Sequence, residues 1–373
     1  MDVQSGTKNF KMSRELAILT DRILHRLLTD QMLDGFTDSQ ILQVVDATYE
    51  ILRPLGALIE MRAPLTIFGD VHGQFGDLHR LLSIVGTPPK TRLLFLGDYV
   101  DRCKKGLELC THSSAYLDAS FKCFTRVPIE SYTMRIFPDK IGLLRGNHEC
   151  TKMNRTYGFY EECKRLRSTS VWKAFQRVFN ELPLCAKVNG RILCMHGGIS
   201  PLISSWSSLS TLQKPRTPEE CDQGLALDLM WSDPDSDPCS KGWVPNKVRN
   251  ASWMFGQDTI KECIKNLDID LIVRAHEVVK DGHLMDCGNR ICTIFSAPNY
   301  CGTDGNCGSV MQITAELKIS FVTLKPKLDV QNLSAEKLAE LEKQNKKNEV
   351  KSPNPGTNLL PPATIPVKNA ASG

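Results

Sequence analysis

The chain has 373 residues, of which 41% are hydrophobic and 24% charged, and its 46 basic and 42 acidic residues leave a formal charge of +4. This composition excludes disorder throughout and is typical of a globular protein of two to three domains, or of one large α/β domain with tails. Because the charge excess is small and no basic stripe carries interleaved aromatic residues, nothing favours a nucleic-acid partner.

The amino terminus and the cysteines favour a soluble intracellular protein, cytoplasmic or nuclear. The opening residues 1–16 have charges where a secretory signal needs an apolar core, and no run approaches the roughly 18 apolar residues of a membrane span. The 14 cysteines are scattered without a C-x-x-C pair, so we interpret them as mostly reduced thiols.

Two helices are predicted ahead of the first strand. Residues 1–12 are polar and expected to be flexible, and apolar residues then recur at helical spacing from Ser13 to Asp30. Thr37 and Gln40 form a capping-box pattern ahead of an apolar run, which predicts a second helix that ends near Pro54.

From residue 65 the pattern changes to short apolar runs that each end in Asp, Asn, His or Gly. Such runs are typical of buried strands. Helical stretches at 75–85 and 171–182 lie between some of them, so we predict an α/β (α+β) fold. Beyond Pro326 the sequence is charged and then proline-rich, which predicts a mostly disordered tail over 327–373. The strand-like runs are LTIFGDVHG, LLFLGDYVDR, IGLLRGNHE, RILCMHGG, LIVRAHE and TIFSAPNY.

Six polar side chains at the ends of these runs form a candidate metal-binding set. Strand ends hold side chains rigidly, and the loops that follow leave room for a ligand. Oxygen donors combined with imidazole nitrogens suit divalent ions such as manganese, iron or zinc, and the lack of a thiolate argues against structural zinc. The set is large enough for two ions if one carboxylate bridges them. Its members are Asp70, His72, Asp98, Asn147, His196 and His276.

This donor set predicts hydrolysis of a phosphate ester. Two ions roughly 3.5–4 Å apart could bind the ester and lower the pKa of a bridging water, which gives a hydroxide aimed at phosphorus. A departing serine or threonine alkoxide needs a proton, which His148 could deliver with Asp101 orienting its imidazole. Arg102 and Arg249 could bind phosphoryl oxygens through their planar guanidinium groups.

Seven ordered motifs between about residues 14 and 326 resemble those of the metal-dependent serine/threonine phosphoprotein phosphatases. GFYEECKR and the WSDPD run followed by GW are similar to the type 1 catalytic subunit more than to its relatives. The resemblance implies a central β-sandwich of mixed sheets flanked by helices, with the active site at one edge of the sandwich. The motifs are GDVHGQ, GDYVDR, RGNHE, HGGISP, LMWSDPD, RAH and SAPNYCG.

The resemblance also implies roles for individual residues. It makes His148 the proton donor with Asp101 behind it, and it assigns Arg102, Arg249 and Tyr300 to the phosphate. Spacing alone gives no reason to choose Tyr300. The implied first metal site is Asp70, His72 and Asp98, and the second is Asp98, Asn147, His196 and His276. The implied protein is a phosphatase with two divalent metal ions (Mn, or Fe/Zn), phosphoprotein substrates and regulatory subunits.

The chain departs from the family pattern in the long segment between Asp98 and Asn147. We predict that an atypical insertion within about 109–140 replaces the helix expected there. The predicted organisation is therefore a flexible terminus at 1–12, a catalytic domain at 13–326 that contains the insertion, and the tail at 327–373.

Three single-residue departures also bear on activity and partners. Cys103 stands where the family has glycine, which predicts a strained loop if that position needs a positive φ. Glu277 replaces the usual glutamine and could strengthen metal binding or disfavour an anionic substrate. Lys318 alters the groove for regulatory subunits, and the loop at 303–309 gives no basis for expecting toxin sensitivity.

Two alternatives to a protein phosphatase stay open at this stage. The same metals could hydrolyse a small phosphoester such as a nucleotide. Alternatively, the chain could be a non-catalytic scaffold whose site is spoiled by the insertion and by Cys103, although no metal position is missing from the sequence.

Overall fold

The structure, a computed structural model, describes residues 13–120, 140–326 and 365–366. Two six-stranded mixed sheets pack face to face at its centre, and a third, three-stranded sheet lies beside them. The strands are β1 (Leu58–Met61), β2 (Leu65–Phe68), β3 (Leu93–Phe95), β4 (Ile141–Leu143), β5 (Cys185–Val188), β6 (Ile192–Met195), β7 (Asp233–Pro234), β8 (Trp243–Pro245), β9 (Trp253–Phe255), β10 (Leu271–Arg274), β11 (His283–Asp286), β12 (Ile291–Ile294), β13 (Gly308–Ile313), β14 (Lys318–Leu324) and β15 (Ile365–Pro366).

Helices follow the strands in an alternating order along much of the chain. The capping box at Thr37 and Gln40 is present, and the first two helices end close to the predicted positions. Two short 3₁₀ turns cover Asn147–Glu149 and Tyr300–Gly302. The α-helices are α1 (Arg14–Thr29), α2 (Asp38–Leu52), α3 (Phe75–Val85), α4 (Gly106–Ser120), α5 (Thr151–Thr156), α6 (Phe159–Leu166), α7 (Thr169–Asn180), α8 (Trp206–Ser210), α9 (Pro218–Cys221), α10 (Gly224–Trp231) and α11 (Gln257–Leu267).

The two large sheets form the predicted sandwich. One runs in the order β1-β5-β6-β10-β12-β11, and the other in the order β15-β14-β13-β2-β3-β4. In the second sheet β2, β3 and β4 are parallel, so their carboxyl ends lie at the same edge. In the first sheet β6 and β10 are parallel and end side by side as well. The prediction of a mixed α/β sandwich flanked by helices is confirmed.

Three apolar layers hold the sandwich in place. Ile67, Val273 and Met311 belong to the layer between the two sheets, where burial of apolar surface stabilises the pairing. Helices α1 to α4, α6 and α7 cover the outer face of the β2 sheet, with Phe68 and Phe95 beneath them. Helices α8 to α11 contribute to the cluster on the outer face of the other sheet. The strand ends that carry polar residues are therefore fixed from both sides.

The prediction that an insertion replaces the helix after Asp98 was wrong for residues 109–120, which belong to the helix Gly106–Ser120. This stretch forms α4, which packs against α1 and α2 and buries polar as well as apolar side chains. Because Thr111 and His112 are buried alongside Leu109 and Leu117, the helix shows no amphipathic period from which it could be recognised. The rest of the insertion, at 121–139, lies outside the described residues.

The predicted flexible terminus and most of the predicted tail also lie outside the described residues. Within the tail, Ile365–Pro366 forms β15, which pairs with the edge of β14 at Lys318 and Ile319. Among the helices that the structure describes, none has the length and the apolar composition needed to cross a membrane.

Candidate active site

The structure brings the six predicted donors together at one edge of the sandwich. They occupy the loops that follow β2, β3, β4, β6 and β10, and all six are less than 10% exposed. Five of them line an open cleft of about 690 Å³, and His196 lies buried behind it. The donors are Asp70, His72, Asp98, Asn147, His196 and His276.

Unusual backbone conformations aim these side chains at one another. His72, Asp98 and His276 have φ values of +44°, +53° and +71°, and Asp101 and Arg102 each have a φ of +69°. These values lie in the left-handed region, which costs non-glycine residues of order 1 kcal/mol or more each. The sheet and the helices around the loops must therefore hold these residues in the left-handed conformation.

Two glycines of the motifs allow the loops to approach closely. A Cβ on Gly97 would lie 2.3 Å from the backbone nitrogen of Gly146. A Cβ on Gly146 would lie 2.2 Å from the Asp98 carboxylate. The small residues in GDYVDR and RGNHE therefore let the loop of Asp98 touch the loop of Asn147.

One group of donors forms around His72. Its Nδ1 donates to the carbonyl of Val100 at 2.8 Å, which leaves Nε2 facing Asp98 Oδ2 at 3.4 Å and Asp70 Oδ2 at 3.6 Å. Burial opposes protonation, but the hydrogen bond to Asp70 and the charge of Asp98 outweigh it and raise the pKa of His72 to about 9. The environment of this imidazole therefore favours positive charge.

A second group forms on the other side of Asp98. Its Oδ1 lies 3.4 Å from His196 Nε2, which is also 2.9 Å from Asn147 Oδ1 and 3.2 Å from His276 Nδ1. The Asn147 oxygen thus faces acceptor atoms only. Turning the amide would let its nitrogen donate to Asp98 and His196, whereas a cation among these atoms would favour the oxygen.

The electrostatic environment of both groups of donors also favours the binding of cations. Burial opposes ionisation of Asp98, but the charges of His196 and His148 outweigh it and hold the pKa of Asp98 well below its usual range. Burial opposes protonation of His196, and Asp98 raises its pKa nonetheless. The negative potential that stabilises imidazolium would likewise attract a divalent ion. In one group, possible ligand atoms of His72, Asp98 and His148 all lie within 4.8 Å of one another. The same holds for Asp98, His196 and His276 in the other group.

His148 is held by Asp101 beside these two groups. Its Nδ1 lies 2.6 Å from Asp101 Oδ2, and the other Asp101 oxygen accepts the backbone N–H of Phe159 at 2.8 Å. The His148 Nε2 lies 4.0 Å from Asp98 Oδ2, and the residue lines the cleft. The arrangement orients the imidazole so that Nε2 can carry a proton.

The three predicted phosphate contacts line the same cleft. Arg102 is exposed, and its guanidinium carbon lies 4.4 Å from the ring centroid of Tyr157. Arg249 donates from Nε to Asp233 at 2.9 Å and from Nη2 to the carbonyl of His276 at 3.2 Å. Burial raises the pKa of Tyr300, so its hydroxyl stays neutral and can donate a hydrogen bond.

Sequence reasoning missed Glu149, which organises both ligand loops. Its Oε2 accepts the N–H groups of Asp98 and Gly146 at 2.8 and 2.9 Å, and its Oε1 accepts that of Tyr99 at 2.9 Å. The only hint of this role in the sequence was that a charged residue stands at the end of the RGNHE run. Burial and the charge of Asp98 raise the pKa of Glu149 to about 7.

Replacing Glu149 with glutamine is expected to lower the free energy of unfolding by about 2–3 kcal/mol. The amide nitrogen would face a backbone N–H, so at least one buried donor would lose its acceptor. Urea unfolding of the chelator-treated protein measures the change. Glu161→Gln, at an exposed position, should change stability by less than about 0.5 kcal/mol. Equal stability of Glu149→Gln and the wild type would contradict this prediction.

Asp233 and Arg274 form a second buried support that sequence reasoning missed. Arg274 donates to Asp233 at 2.7 Å and to Glu277 at 2.6 Å. Burial opposes ionisation of Asp233, but the charge of Arg274 outweighs it and lowers the Asp233 pKa. Glu277 lines the cleft with its carboxyl group paired with Arg274, and burial raises the pKa of this carboxyl group.

The other departures noted in the sequence have structural outcomes too. Cys103 does not have a positive φ, so the strain expected from its Cβ is absent. The unusual conformation falls instead on its neighbours Asp101 and Arg102. Lys318 is exposed at the start of β14.

Comparisons with known proteins show which family the chain belongs to. The model of the calcineurin-like phosphoesterase family matches residues 63–280. A Caenorhabditis elegans protein, whose name marks it provisionally as a serine/threonine-protein phosphatase, is 45% identical over 313 residues, or 84% of this chain. The alignment covers 64% of that relative. A solved protein serine/threonine phosphatase from Saccharomyces cerevisiae, described as similar to human phosphatase PP5, has a TM-score of 0.71 and 26% identity and covers 82% of this chain and 96% of its own.

Proposed function

Because this chain belongs to the calcineurin-like phosphoesterase family, we propose that it is a protein phosphatase that hydrolyses phosphoserine and phosphothreonine monoesters. The observation that carries this proposal is the position of Asp98. Its carboxylate lies 3.4 Å from both His72 and His196 and 4.0 Å from His148. One carboxylate so situated can serve two metal sites and stands beside a proton carrier.

The donor chemistry supports two divalent ions, which would be manganese or, alternatively, iron or zinc. Bound there, such ions would supply Lewis-acid chemistry that polarises a phosphoryl oxygen and activates water as the nucleophile. His72 keeps Nε2 available as a donor because its Nδ1 donates to Val100. We assign Asp70, His72 and Asp98 to one ion, and Asp98, Asn147, His196 and His276 to the other.

The proton for the leaving group would come from His148. The contact of 2.6 Å with Asp101 fixes Nδ1, so Nε2 delivers its proton to the serine or threonine oxygen as the ester bond breaks. Asp101 acts through His148 and is a positioning residue. Arg102, Arg249 and Tyr300 would hold the phosphoryl oxygens by hydrogen bonds.

Exposed apolar residues at the cleft favour a protein substrate over a nucleotide. Val248, with 86% of its surface exposed, and Val278, with 40%, stand at its rim. Apolar side chains at the rim of an open cleft can contact the residues that flank a phosphorylated serine in an extended peptide. The motifs at 158–165 and 231–243 further support a type 1-like catalytic subunit that binds regulatory subunits, through a docking edge altered at Lys318.

Hydrolysis of a phosphoserine peptide and of a nucleotide monophosphate, each with added Mn²⁺, tests the proposed function. We expect kcat/KM for the peptide to exceed that for the nucleotide by roughly tenfold or more, and activity to disappear with a chelator. A preference for the nucleotide would indicate a small-molecule phosphoesterase. No hydrolysis of either substrate by metal-loaded protein would indicate a non-catalytic scaffold.

A further inference from the structure

A buried asparagine, Asn246, closes the loop that carries Arg249. We call residues 246–252, which join β8 to β9, the Arg249 loop. The backbone N–H of Asn246 donates to the carbonyl of Ser252 at 3.0 Å and so ties the two ends of the loop together. Asn246 is only 3% exposed, whereas asparagine is mostly found at the surface. Because a buried amide needs hydrogen-bond partners, the partners of this side chain indicate its role.

The side-chain amide of Asn246 contacts both ends of the Arg249 residue. Its Oδ1 accepts the backbone N–H of Arg249 at 3.1 Å. Its Nδ2 donates at 2.9 Å to Asp233 Oδ2, the same oxygen that accepts the Nε–H of Arg249 at 2.9 Å. One side chain therefore fixes the backbone of Arg249 and also holds the carboxylate that orients the guanidinium group.

Asp233 cannot follow the arginine if the loop moves. Its other oxygen, Oδ1, accepts from Arg274 at 2.7 Å, and Arg274 is fully buried. Since Asn246 is bound to Oδ2, the carboxylate is held from two sides. The guanidinium group of Arg249 is thus paired with a carboxylate whose position other residues determine.

Three of the five N–H groups of the Arg249 side chain remain for a ligand. Asp233 takes the Nε–H, and the carbonyl of His276 takes one N–H of Nη2 at 3.2 Å. Within the part of the chain that the structure describes, no residue accepts from Nη1 or from the second N–H of Nη2. The side chain is 28% exposed and lines the cleft. The planar set of remaining N–H groups suits the oxygens of a phosphoryl group.

The backbone of the Arg249 loop needs contacts of this kind to keep its shape. Asn250 and Ser252 have φ values of +54° and +60°, in the left-handed region. Such conformations persist only where the surrounding structure imposes them. The Ser252 hydroxyl donates to the buried Asp228 at 2.6 Å and fixes the far end of the loop. Loss of the Asn246 amide would free Arg249 while the far end stays in place.

We propose that Asn246 is a positioning residue for substrate binding, which holds Arg249 so that its three remaining N–H groups face the phosphoryl group. Asn246 is buried and does not line the cleft, so it acts only through Arg249. The inference rests on the phosphate-binding role of Arg249 in the proposed function. It does not depend on hydrolysis or on a protein substrate.

A double-mutant cycle on the binding of inorganic phosphate tests this role without turnover. Titration calorimetry of the full-length, metal-loaded protein, freed of excess Mn²⁺, measures the Kd for phosphate of the wild type, Asn246→Ala, Arg249→Ala and the double variant. We expect Arg249→Ala to raise the Kd by roughly 10- to 100-fold and Asn246→Ala by roughly three- to tenfold.

The double variant decides whether Asn246 acts through Arg249. We expect it to bind phosphate as Arg249→Ala does, because the amide has nothing left to position. Additive effects of the two substitutions would overturn the proposal. So would an unchanged Kd in either single variant, or a wild type that binds no phosphate.

Other variants distinguish positioning from a general structural role. Asn266→Ala changes an exposed asparagine on α11 and should leave the Kd unchanged. Asn246→Ser keeps an oxygen that can accept the N–H of Arg249 but is too short to reach Asp233. It should therefore raise the Kd even if Asn246→Ala fails to fold. Elemental analysis should find the wild-type metal content in Asn246→Ser, and a loss of metal would indicate a structural role and overturn the proposal.

Phosphopeptide kinetics on the same samples separates this inference from the proposed function. We expect kcat/KM to fall in the same non-additive pattern as the affinity for phosphate. If the wild type hydrolyses no substrate but the phosphate cycle is non-additive, the proposed function fails and the role of Asn246 stands. If hydrolysis occurs and the cycle is additive, the role of Asn246 fails and the proposed function stands.

Discussion

Replacing Asp98 with alanine is expected to lower kcat/KM for a phosphopeptide by roughly 10³-fold or more, because metal-ion catalysis contributes several kcal/mol. Its two oxygens lie 3.4 Å from His72 on one side and 3.4 Å from His196 on the other. Both proposed metal sites therefore lose a ligand in a single substitution. Elemental analysis should find less than one bound ion per chain, and steady-state kinetics measures the rate.

An exposed carboxylate provides the matched control for this variant. Asp46→Ala removes a surface ion pair with Arg177 and should keep both metal content and activity. Because Asp98 also accepts the N–H of His148 at 3.0 Å, misfolding of Asp98→Ala must be tested separately. Chelation of the wild type followed by addition of Mn²⁺ should abolish and restore activity without any substitution. Full activity in Asp98→Ala or after chelation would contradict the metal assignment.

The second large effect is expected from His148→Ala, which should lower kcat for a phosphoserine peptide by about 10²- to 10⁴-fold. A serine alkoxide is a poor leaving group and, in the proposed mechanism, would depend on the proton from His148. The anion of p-nitrophenol leaves without a proton, so hydrolysis of p-nitrophenyl phosphate should fall much less. Parallel kinetics on the two substrates measures this difference.

Two further variants separate acid catalysis from other roles of His148. His25→Ala changes an exposed histidine on α1 and should leave both activities intact. Asp101→Asn should affect the same substrate as His148→Ala but more weakly, since the role we propose for Asp101 is only to position the imidazole. An equal loss on both substrates in His148→Ala would show that the residue supports the metals or the fold instead of acting as the acid.

The ends of the strands could be predicted because two simple signals coincide there. The run from Leu65 to Phe68 is apolar and short, and Asp70 and His72 follow it directly, so strand and site appear in one stretch of sequence. The same holds for Asp98 after β3. The capping box of α2 is a local interaction between Thr37 and Gln40, and local interactions can be read from sequence.

What could not be predicted depends on contacts between distant segments. Helix α4 has no amphipathic period because it is covered on several sides, so its polar residues look like those of a loop. Glu149 accepts hydrogen bonds from residues about 50 positions away, and nothing in its neighbours reveals that role.

The left-handed backbone at His72, Asp98 and His276 has a consequence for how the protein could be stabilised. Glycine would relax the backbone at each of these positions, but it would also remove a proposed metal ligand. Selection for thermal stability alone would therefore favour the loss of these three side chains. The backbone conformation at these positions is most favourable for glycine, whereas the proposed site needs the side chains. Improved durability must come from residues outside these loops.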